Sequence, residues 1–554
     1  MNTRKHLARL VVVSSFFVLL LAALIWRMHD LTVLNRKFLQ HQGDARSLRV
    51  LNIPAYRGMI TDRQGEPLAV STPVQAVWVN PKVFAPNEKQ LVELAKLLGL
   101  SIKQLTKSTA AKNKEFVYLQ RQLPPMIAKK IANLKIPGIN FQQEFKRYYP
   151  EADSVAQLIG FTNVDDNGIE GLELAYQNWL MGVSGKKRVV KDRTGNIIEE
   201  LGILQEPRPG HELRLSIDKR IQYFAYHELQ DTVNKFGAKS GSVVVIDTQS
   251  GEVLAVANFP SFNPNARSRY SLSSYRNKAI TDTFEPGSVI KPFSIASAFE
   301  SGLFNPKSII DTQPSWMIVH GHTIRDIHNY GVLDVSGVLE HSSNVGVTKM
   351  TLASPPDQLI GLLTRCGIGQ RTESSYPGES DGFLVKPADA NPFVLATLSF
   401  GYGMSVTALQ LAKIYTIFSN QGRLMPINLL HYDKPVVGKQ VISAKTSNQI
   451  LAMLEAVVDV GTGQSAKVPG YRIAGKTGTS RIAGKQGYES NRHIASFVGI
   501  APVSKPRLIV AVVVHEPSRL GYYGAAVAAP LFSKVMSVAL RILDIQPDEA
   551  TKSL

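Results

Sequence analysis

From Leu10 to Trp26 the chain carries no charged residue, and those 17 residues reach the lower length limit for a helix crossing a hydrocarbon core. Arg4, Lys5 and Arg9 precede the run. The pattern predicts a cytoplasmic tail over 1–9 and an uncleaved anchor over 10–26, with the rest on the far side of the membrane. The run is long for a signal peptide and no small-x-small site ends it. No second run of comparable length is expected downstream.

Beyond the anchor, Leu31, Leu34 and Phe38 fall at helical spacing. "YRGMITDRQGEPLAVSTPVQAVWVNP" is β-rich and broken at Gly58 and at Gln64-Gly65, which reads as strand, turn, strand. From about Glu88 to Leu134 the pattern turns helical and basic, and "FKRYYP" and "KDRTGNIIEE" add turns and short strands. The segment 27–205 is therefore expected to be a juxtamembrane and pedestal domain of mixed α/β character. A second unit is expected over 206–545, followed by a short tail over 546–554. It opens with a helix capped by Ser216 or Asp218, with Ile221, Phe224, Ala225 and Leu229 on one face. A hairpin follows, with strands Ser242–Ile246 and Glu252–Asn258 about a turn at Asp247–Gly251. Near its end, "HIASFVGIAP" and "PRLIVAVVVHEP" alternate as buried strands before the helical "AAPLFSKVMSVALRIL". Strands at both ends of a helical middle predict an α+β fold, one antiparallel sheet flanked by helices.

Composition narrows the chemistry. The chain of 554 residues has a formal net charge of +18, which permits an anionic partner. The basic residues are scattered, however, without an Arg-rich tail or zinc-finger spacing, so nucleic acid is not expected. Cys366 is the sole cysteine, which rules out an intrachain disulfide and a CxxC metal site. No HExxH-type cluster appears among the 12 histidines, and neither metal nor organic cofactor is expected.

Three Ser-x-x-Lys patterns occur, at Ser184/Lys187, Ser216/Lys219 and Ser288/Lys291. Only Ser288 follows Pro-Gly and opens an apolar helical run, "FEPGSVIKPFSIASAFESG". At a helix start Lys291 shares a face with Ser288 and can reach its Oγ. The helix end supplies free N–H groups and partial positive charge. Burial in that field lowers the lysine pKa and frees an amine to act as base. The same pair also reads as an N-cap serine with a solvated lysine. "HSSNVGV" adds Ser342 and Asn344, a hydroxyl to pass a proton and a carboxamide to hold a substrate carbonyl or Lys291. "YRIAGKTGTS" adds Lys476, Thr477, Gly478 and Thr479 on an expected edge strand. There Gly478 leaves space for a substrate backbone, the cation and hydroxyls suit a carboxylate, and the N–H groups of Ser288 and Thr479 suit an oxyanion. A second Ser-x-Asn at Ser261–Asn263 and a Lys-Ser-Gly at Lys239–Gly241 both precede Ser288.

Ser-x-x-Lys, Ser-x-Asn and Lys-Thr-Gly in that order resemble the serine penicillin-recognising enzymes, the penicillin-binding proteins and serine β-lactamases. The spacings fit: 54 residues from Ser288 to Ser342 and 134 from there to Lys476. Ser343 stands where class A β-lactamases have aspartate. "RGMITDRQGEPLAV", "RYYPEADSVAQLIGFTNVDDNGIEGLE" and "KDRTGNIIEE" are similar to the pedestal motifs of class B penicillin-binding proteins. Arg57 follows the anchor too closely for a class A glycosyltransferase domain. "ITDTFEPGS", "HSSNVGV", "GFTNVD" and "YYGAAVAAPLF" most resemble the division-specific, FtsI-type branch in Gram-negative bacteria.

The resemblance implies a penicillin-recognising transpeptidase fold that cross-links peptidoglycan stem peptides ending in D-Ala-D-Ala. Ser288 is the implied nucleophile, Lys291 its base and Ser342 the proton carrier for the leaving amine. Lys476, Thr477 and Thr479 would dock the terminal carboxylate. β-Lactams would acylate the same serine. The expected setting is the inner membrane at midcell, with the catalytic domain periplasmic. The expected partners are a polytopic septal glycosyltransferase, other division-complex membrane proteins and the bilayer. Rival readings are the elongation-specific relative, a β-lactamase or D,D-carboxypeptidase, and a non-catalytic β-lactam sensor or division scaffold.

Overall fold

The structure is a computed structural model describing residues 2–110, 113–192, 197–432, 436–484 and 487–549. The tail beyond 549 and residues 193–196 of "KDRTGNIIEE" lie outside the described residues. The chain divides into two compact units, and neither is a continuous stretch. One comprises Met1–Tyr56, Pro73–Phe145 and Gly182–Gly210; the other Arg57–Thr72, Lys146–Met181 and His211–Leu554.

The first unit begins with helix α1 (Asn2–His29). Between Leu10 and Trp26 its exposed surface carries no charge, and it is long and apolar enough to cross a membrane. A π-turn (Asp30–Leu34) leads into the helix Arg36–Ser47. Strands β1 (Leu48–Ile53), β2 (Gly185–Lys191) and β3 (Ile197–Gln205) then form an antiparallel sheet in that order. Between them, helices Glu88–Leu98 and Ile102–Thr109 start at capping boxes, Asn87 with Gln90 and Ser101 with Gln104. Leu94, Leu98 and Leu105 pack with Val77, Leu123 and Ile131 into a small core. The stretch expected to be helical is interrupted by strand Val117–Leu123, which pairs with the second half of Pro67–Val79. Leu119 and Leu123 pack on that core, so sheet pairing outweighs the helical tendency of the flanking residues.

The second unit is built on helix α2 (Lys219–Phe236) and a five-stranded antiparallel sheet. Asp218 caps α2 by accepting from Arg220 N–H, whereas Ser216 Oγ donates to the Val253 and Asn428 carbonyls. The strands are β4 (Ser240–Asp247), β5 (Val253–Phe259), β6 (Ala474–Gly484), β7 (Gly487–Ala501) and β8 (Leu508–His515). Their order is β5-β4-β8-β7-β6, which leaves β6 at an edge. Strand alternation divides the interior in two. Val243, Val245, Val510, Val512 and Val514 face α2 and the C-terminal helix. Val244, Ile246, Ile509, Ala511 and Val513 face the helical middle of the unit. Both faces are covered, so every residue of β4 is buried.

At the centre of the inner core runs helix α3 (Lys291–Glu300), buried along its whole length except Glu300. Helix α4 (Asn344–Ala353) packs beside it. The C-terminal helix α5 (Gly524–Ile542) is also long and apolar, but it is a core helix, with Val527, Leu531, Phe532 and Val535 buried on the outer face of the sheet.

Candidate active site

Phe284–Ile290 forms a tight turn into α3. Phe284 exchanges both backbone hydrogen bonds with Val406, and Gly287 N–H donates to Gly401 C=O (3.0 Å). Gly287 has a φ of +60°. A Cβ on Gly401 would lie 2.1 Å from the Gly287 carbonyl oxygen, so only glycine fits there. Ser288 sits inside the 3₁₀ turn Gly287–Ile290, and its carbonyl accepts from Lys291 N–H. The preceding Pro286 is the capping residue and no side-chain cap is made. The N-cap reading of Ser288 is therefore set aside, and Ser288 lines a cavity.

Lys291 is fully buried at the start of α3. Its Nζ donates to the Ser342 carbonyl, to Asn344 Oδ1 (2.7 Å) and to Ser342 Oγ (3.1 Å). The sequence placed this amine on Ser288. In the structure its hydrogen bonds end on Ser342 and Asn344, because the loop before α4 closes over the lysine from the other side. Lys476, also fully buried, comes from edge strand β6 and reaches the same Ser342 Oγ at 3.1 Å. One hydroxyl thus lies between two lysine amines. Ser342 holds this position with a φ of +58°, a strained conformation for a residue with a Cβ.

Electrostatics follow from the packing. Burial pushes the Lys291 amine well below its ordinary pKa, and neighbouring Lys476 pushes it the same way; Asp326 opposes both. Burial lowers Lys476 to about 7. Two ammonium groups cannot share one hydroxyl in a dry site, so the arrangement favours at least one neutral amine near neutral pH.

Asp326 went unnoticed in the sequence. Its carboxylate accepts from Ser343 Oγ (2.6 Å), Asn344 N–H and Val345 N–H (3.0 Å). Ser343 Oγ in turn accepts from Gly346 N–H (2.8 Å) as the N-cap of α4. An anion at a helix N-terminus is favourable, and here it fixes the Ser342–Asn344 loop. Asn344 Nδ2 also donates to Arg325 C=O (2.9 Å), which turns its oxygen toward Lys291.

On β6, Thr477 Oγ1 lies 3.1 Å from Thr462 Oγ1, and Thr479 Oγ1 accepts from Gly524 N–H (3.0 Å). Gly478 departs from expectation. The space where its Cβ would lie is filled by Ser496 Oγ at 2.3 Å, Val289 at 3.0 Å and Pro286 C=O at 3.1 Å. Ser496 Oγ of β7 and the nucleophile turn together crowd this position, so glycine is the residue that fits without displacing them.

A cavity of about 490 Å³ is lined by Ser288, Ser342, Asn344, Thr477 and Thr479, with Asp326, Tyr402 and Tyr523 on its walls. Lys291 and Lys476 lie beneath it, joined to Ser342. His341 lines the cavity and stacks on Tyr330 with centroids 4.8 Å apart. The other motif matches do ordinary structural work. Lys187 pairs with Glu200, Lys219 with Glu66 and Lys239 with Glu516. Ser261 Oγ donates to Asp153 C=O, and Asn263 accepts from Asn265 N–H.

An antiparallel five-stranded sheet with helices on its outer face, and a lysine-bearing helix buried against its inner face, is the architecture of the serine penicillin-recognising enzymes. The chain matches the penicillin binding protein transpeptidase domain over residues 241–537 and the penicillin-binding protein dimerisation domain over residues 52–215. It is 41% identical to the probable peptidoglycan D,D-transpeptidase PbpC of Pseudomonas aeruginosa, over 100% of this chain and 98% of that protein. It is equally 41% identical to the peptidoglycan D,D-transpeptidase FtsI of Escherichia coli, over 98% and 93%. Among solved structures, the transpeptidase domain of Burkholderia pseudomallei penicillin-binding protein 3 is 38% identical with a TM-score of 0.56, covering 60% of this chain and 98% of that one. Penicillin-binding protein 3 of Mycobacterium tuberculosis, complexed with aztreonam, superposes with a TM-score of 0.71 at 26% identity over 90% and 98%. This chain belongs to the class B penicillin-binding proteins.

Proposed function

We propose that the chain is a septal peptidoglycan D,D-transpeptidase, joining stem peptides through an acyl-enzyme on Ser288 and acylated there by β-lactams. One observation carries the chemistry: two buried lysine amines meet at one serine hydroxyl on the wall of a cavity that also exposes Ser288.

Neutral Lys291 takes the Ser288 proton as Oγ attacks the carbonyl of the penultimate D-Ala. Two of its N–H groups are held by Ser342 C=O and Asn344 Oδ1, and the third neighbour of the nitrogen is Ser342 Oγ at 3.1 Å. The N–H groups of Ser288 and Thr479 receive the oxyanion. The carbon–nitrogen bond to terminal D-Ala breaks. Ser342 gives its proton to the leaving amine and is resupplied by Lys291 ammonium. Lys476, Thr477 and Thr479 hold the terminal carboxylate. The acceptor amine then attacks the ester carbonyl, loses its proton through Ser342, and Ser288 leaves with a proton returned.

The anchor over 10–26 holds the enzyme in the inner membrane with its N-terminus cytoplasmic and its catalytic part periplasmic. Residues 27–205 serve as pedestal and 206–545 as the catalytic domain. A septal glycosyltransferase and small division-complex membrane proteins are the partners at midcell. This placement rests on likeness to proteins named FtsI.

Labelled penicillin is expected to modify the detergent-solubilised full-length protein at Ser288, and Ser288→Ala is expected to abolish labelling. Full labelling of that variant overturns the assignment. A fluorescent fusion is expected at midcell; a fusion spread along the side wall overturns the septal reading.

A further inference from the structure

The turn that carries Ser288 must stay in register with β6, and one side chain joins all the parts involved. Glu285 lies three residues before Ser288. Its Oε1 accepts from Gly403 N–H (2.9 Å) and from Tyr488 OH (3.0 Å). Gly403 belongs to the Gly401–Gly403 turn that also holds Gly287 N–H. Tyr488 stands on β7, next to the tip of the β6–β7 hairpin. The Tyr488 ring meets Tyr402 edge-to-face at 5.2 Å, and Tyr402 OH accepts from Arg481 N–H on β6 (3.2 Å). One carboxyl thus links the nucleophile turn, the neighbouring glycine turn and the hairpin whose first strand carries Lys476–Thr479.

The second carboxyl oxygen, Oε2, is buried and has no hydrogen-bond partner among the described residues. Burial raises the Glu285 pKa. Among the described residues, only one oxygen of this half-buried carboxyl is hydrogen-bonded, and both of its bonds run to the groups that flank the nucleophile turn. Tyr402 also lines the cavity, so the linkage continues to its wall.

We propose that Glu285 is a positioning residue for acylation, clamping the Ser288 turn to the β6–β7 hairpin through Gly403 and Tyr488. The clamp acts on the separation between Ser288 Oγ and the groups of β6, and therefore on the rate within the bound complex more than on binding. This inference rests on the acyl-enzyme reading above.

The test is single-turnover acylation of the detergent-solubilised full-length protein by labelled penicillin, with the saturating rate and half-saturating concentration measured separately. Misplacement near 1 Å costs about 10²-fold, so Glu285→Ala is expected to lower the saturating rate by about 10- to 100-fold with little change in half-saturation. Glu285→Gln keeps an oxygen acceptor and is expected to recover most of the rate. Tyr488→Phe is expected to lose about 3- to 10-fold, and Tyr488→Phe combined with Glu285→Ala to be no slower than Glu285→Ala alone. A Glu285→Ala saturating rate within twofold of wild type overturns the proposal. So do losses that multiply in the double variant, or a loss confined to half-saturation. Should Glu285→Ala fail to fold, Tyr488→Phe decides: an unchanged saturating rate overturns the clamp. Failure of the wild-type protein to label at Ser288 instead overturns the acyl-enzyme reading itself.

Discussion

Arg57 and Arg147 share the carboxylate of Glu173, whereas Lys291 and Lys476 share only the hydroxyl of Ser342. Both sets are buried in the same compact unit. Arg57 Nε lies 2.5 Å from Glu173 Oε2, and Arg147 Nε 2.6 Å from Oε1. Arg57 also donates to Glu173 C=O and Gln177 Oε1, both at 2.7 Å. Guanidinium does not deprotonate in proteins, so the arginine set must solve burial by pairing and hydrogen bonding. A lysine amine has a second route, which is to lose its proton. Burial moves both lysines toward that route, Lys476 to about 7, and among the described residues no carboxylate forms an ion pair with either amine. Asp326, the nearby anion, is spent on Ser343 and the start of α4. One cluster therefore keeps its charges paired, while the other makes its charges easier to give up.

The largest expected effect tests the lysine side of this contrast. Lys291→Met is expected to slow penicillin acylation by about 10²- to 10⁴-fold, at a stability cost of only about 1–3 kcal/mol, because Ser342 C=O and Asn344 Oδ1 lose their donor but no buried charge is left behind. Acylation kinetics and thermal unfolding of the same preparation check it. A large loss of stability would erase the distinction between the clusters.

The arginine side predicts the reverse pattern. Glu173→Ala leaves two buried guanidinium groups facing each other and is expected to cost about 3–5 kcal/mol. Acylation per folded molecule should stay within about threefold of wild type. Chemical denaturation and active-site titration separate the two quantities.

A smaller effect appears in the pH dependence. Lys476 falls from its ordinary value of 10.5 to about 7 in the folded protein. Between those values the unfolded chain binds a proton that the folded chain does not, so this residue makes stability rise with pH. The slope is at most about 1.4 kcal/mol per pH unit. The stability it contributes at high pH is lost progressively as pH falls toward 7, and below that no further change comes from this group. Unfolding curves from pH 7 to 9 should show the slope in wild type and a flatter profile in Lys476→Met.

The smallest effect belongs to a motif look-alike. Lys219 follows Ser216 at the same spacing as Lys291 follows Ser288, yet its amine makes an exposed pair with Glu66 at 3.0 Å. Lys219→Ala is expected to change stability by about 0–1 kcal/mol and acylation not at all. A drop in acylation comparable with Lys291→Met would show that spacing alone, rather than burial, makes the base.

Much of the sheet was legible because strand alternation is local. The hairpin of β4 and β5, the pattern of β8 and the cap of α2 could each be read from a few neighbouring residues. Strand Val117–Leu123 was not, since it sits among helical neighbours and is decided by its pairing partner. The three motifs could be read by their order, and the hold of Asn344 on Lys291 was among the contacts expected, but the meeting of Lys291 and Lys476 at Ser342 was not. Lys291 was placed on Ser288 and in fact bonds Ser342 and Asn344. Gly478 was read as space for a substrate backbone; its Cβ position is taken by Ser496 Oγ of β7, with Val289 and Pro286 of the nucleophile turn just beyond. Asp326 and Glu285 gave no signal, because loop residues follow no period and act on partners distant in the chain.

By itself the sequence determined the alternating strands of the large sheet, the apolar anchor-length helix, and the presence and order of Ser288, Ser342 and Lys476. These depend on short-range periodicity and covalent spacing. Tertiary structure alone decided that one hydroxyl sits between two amines and that those amines are dry enough to shed protons. It also decided that the carboxylates nearby are committed elsewhere. A pKa is set by what surrounds a group on every side, and for Lys291 those surroundings come from segments separated by more than a hundred residues.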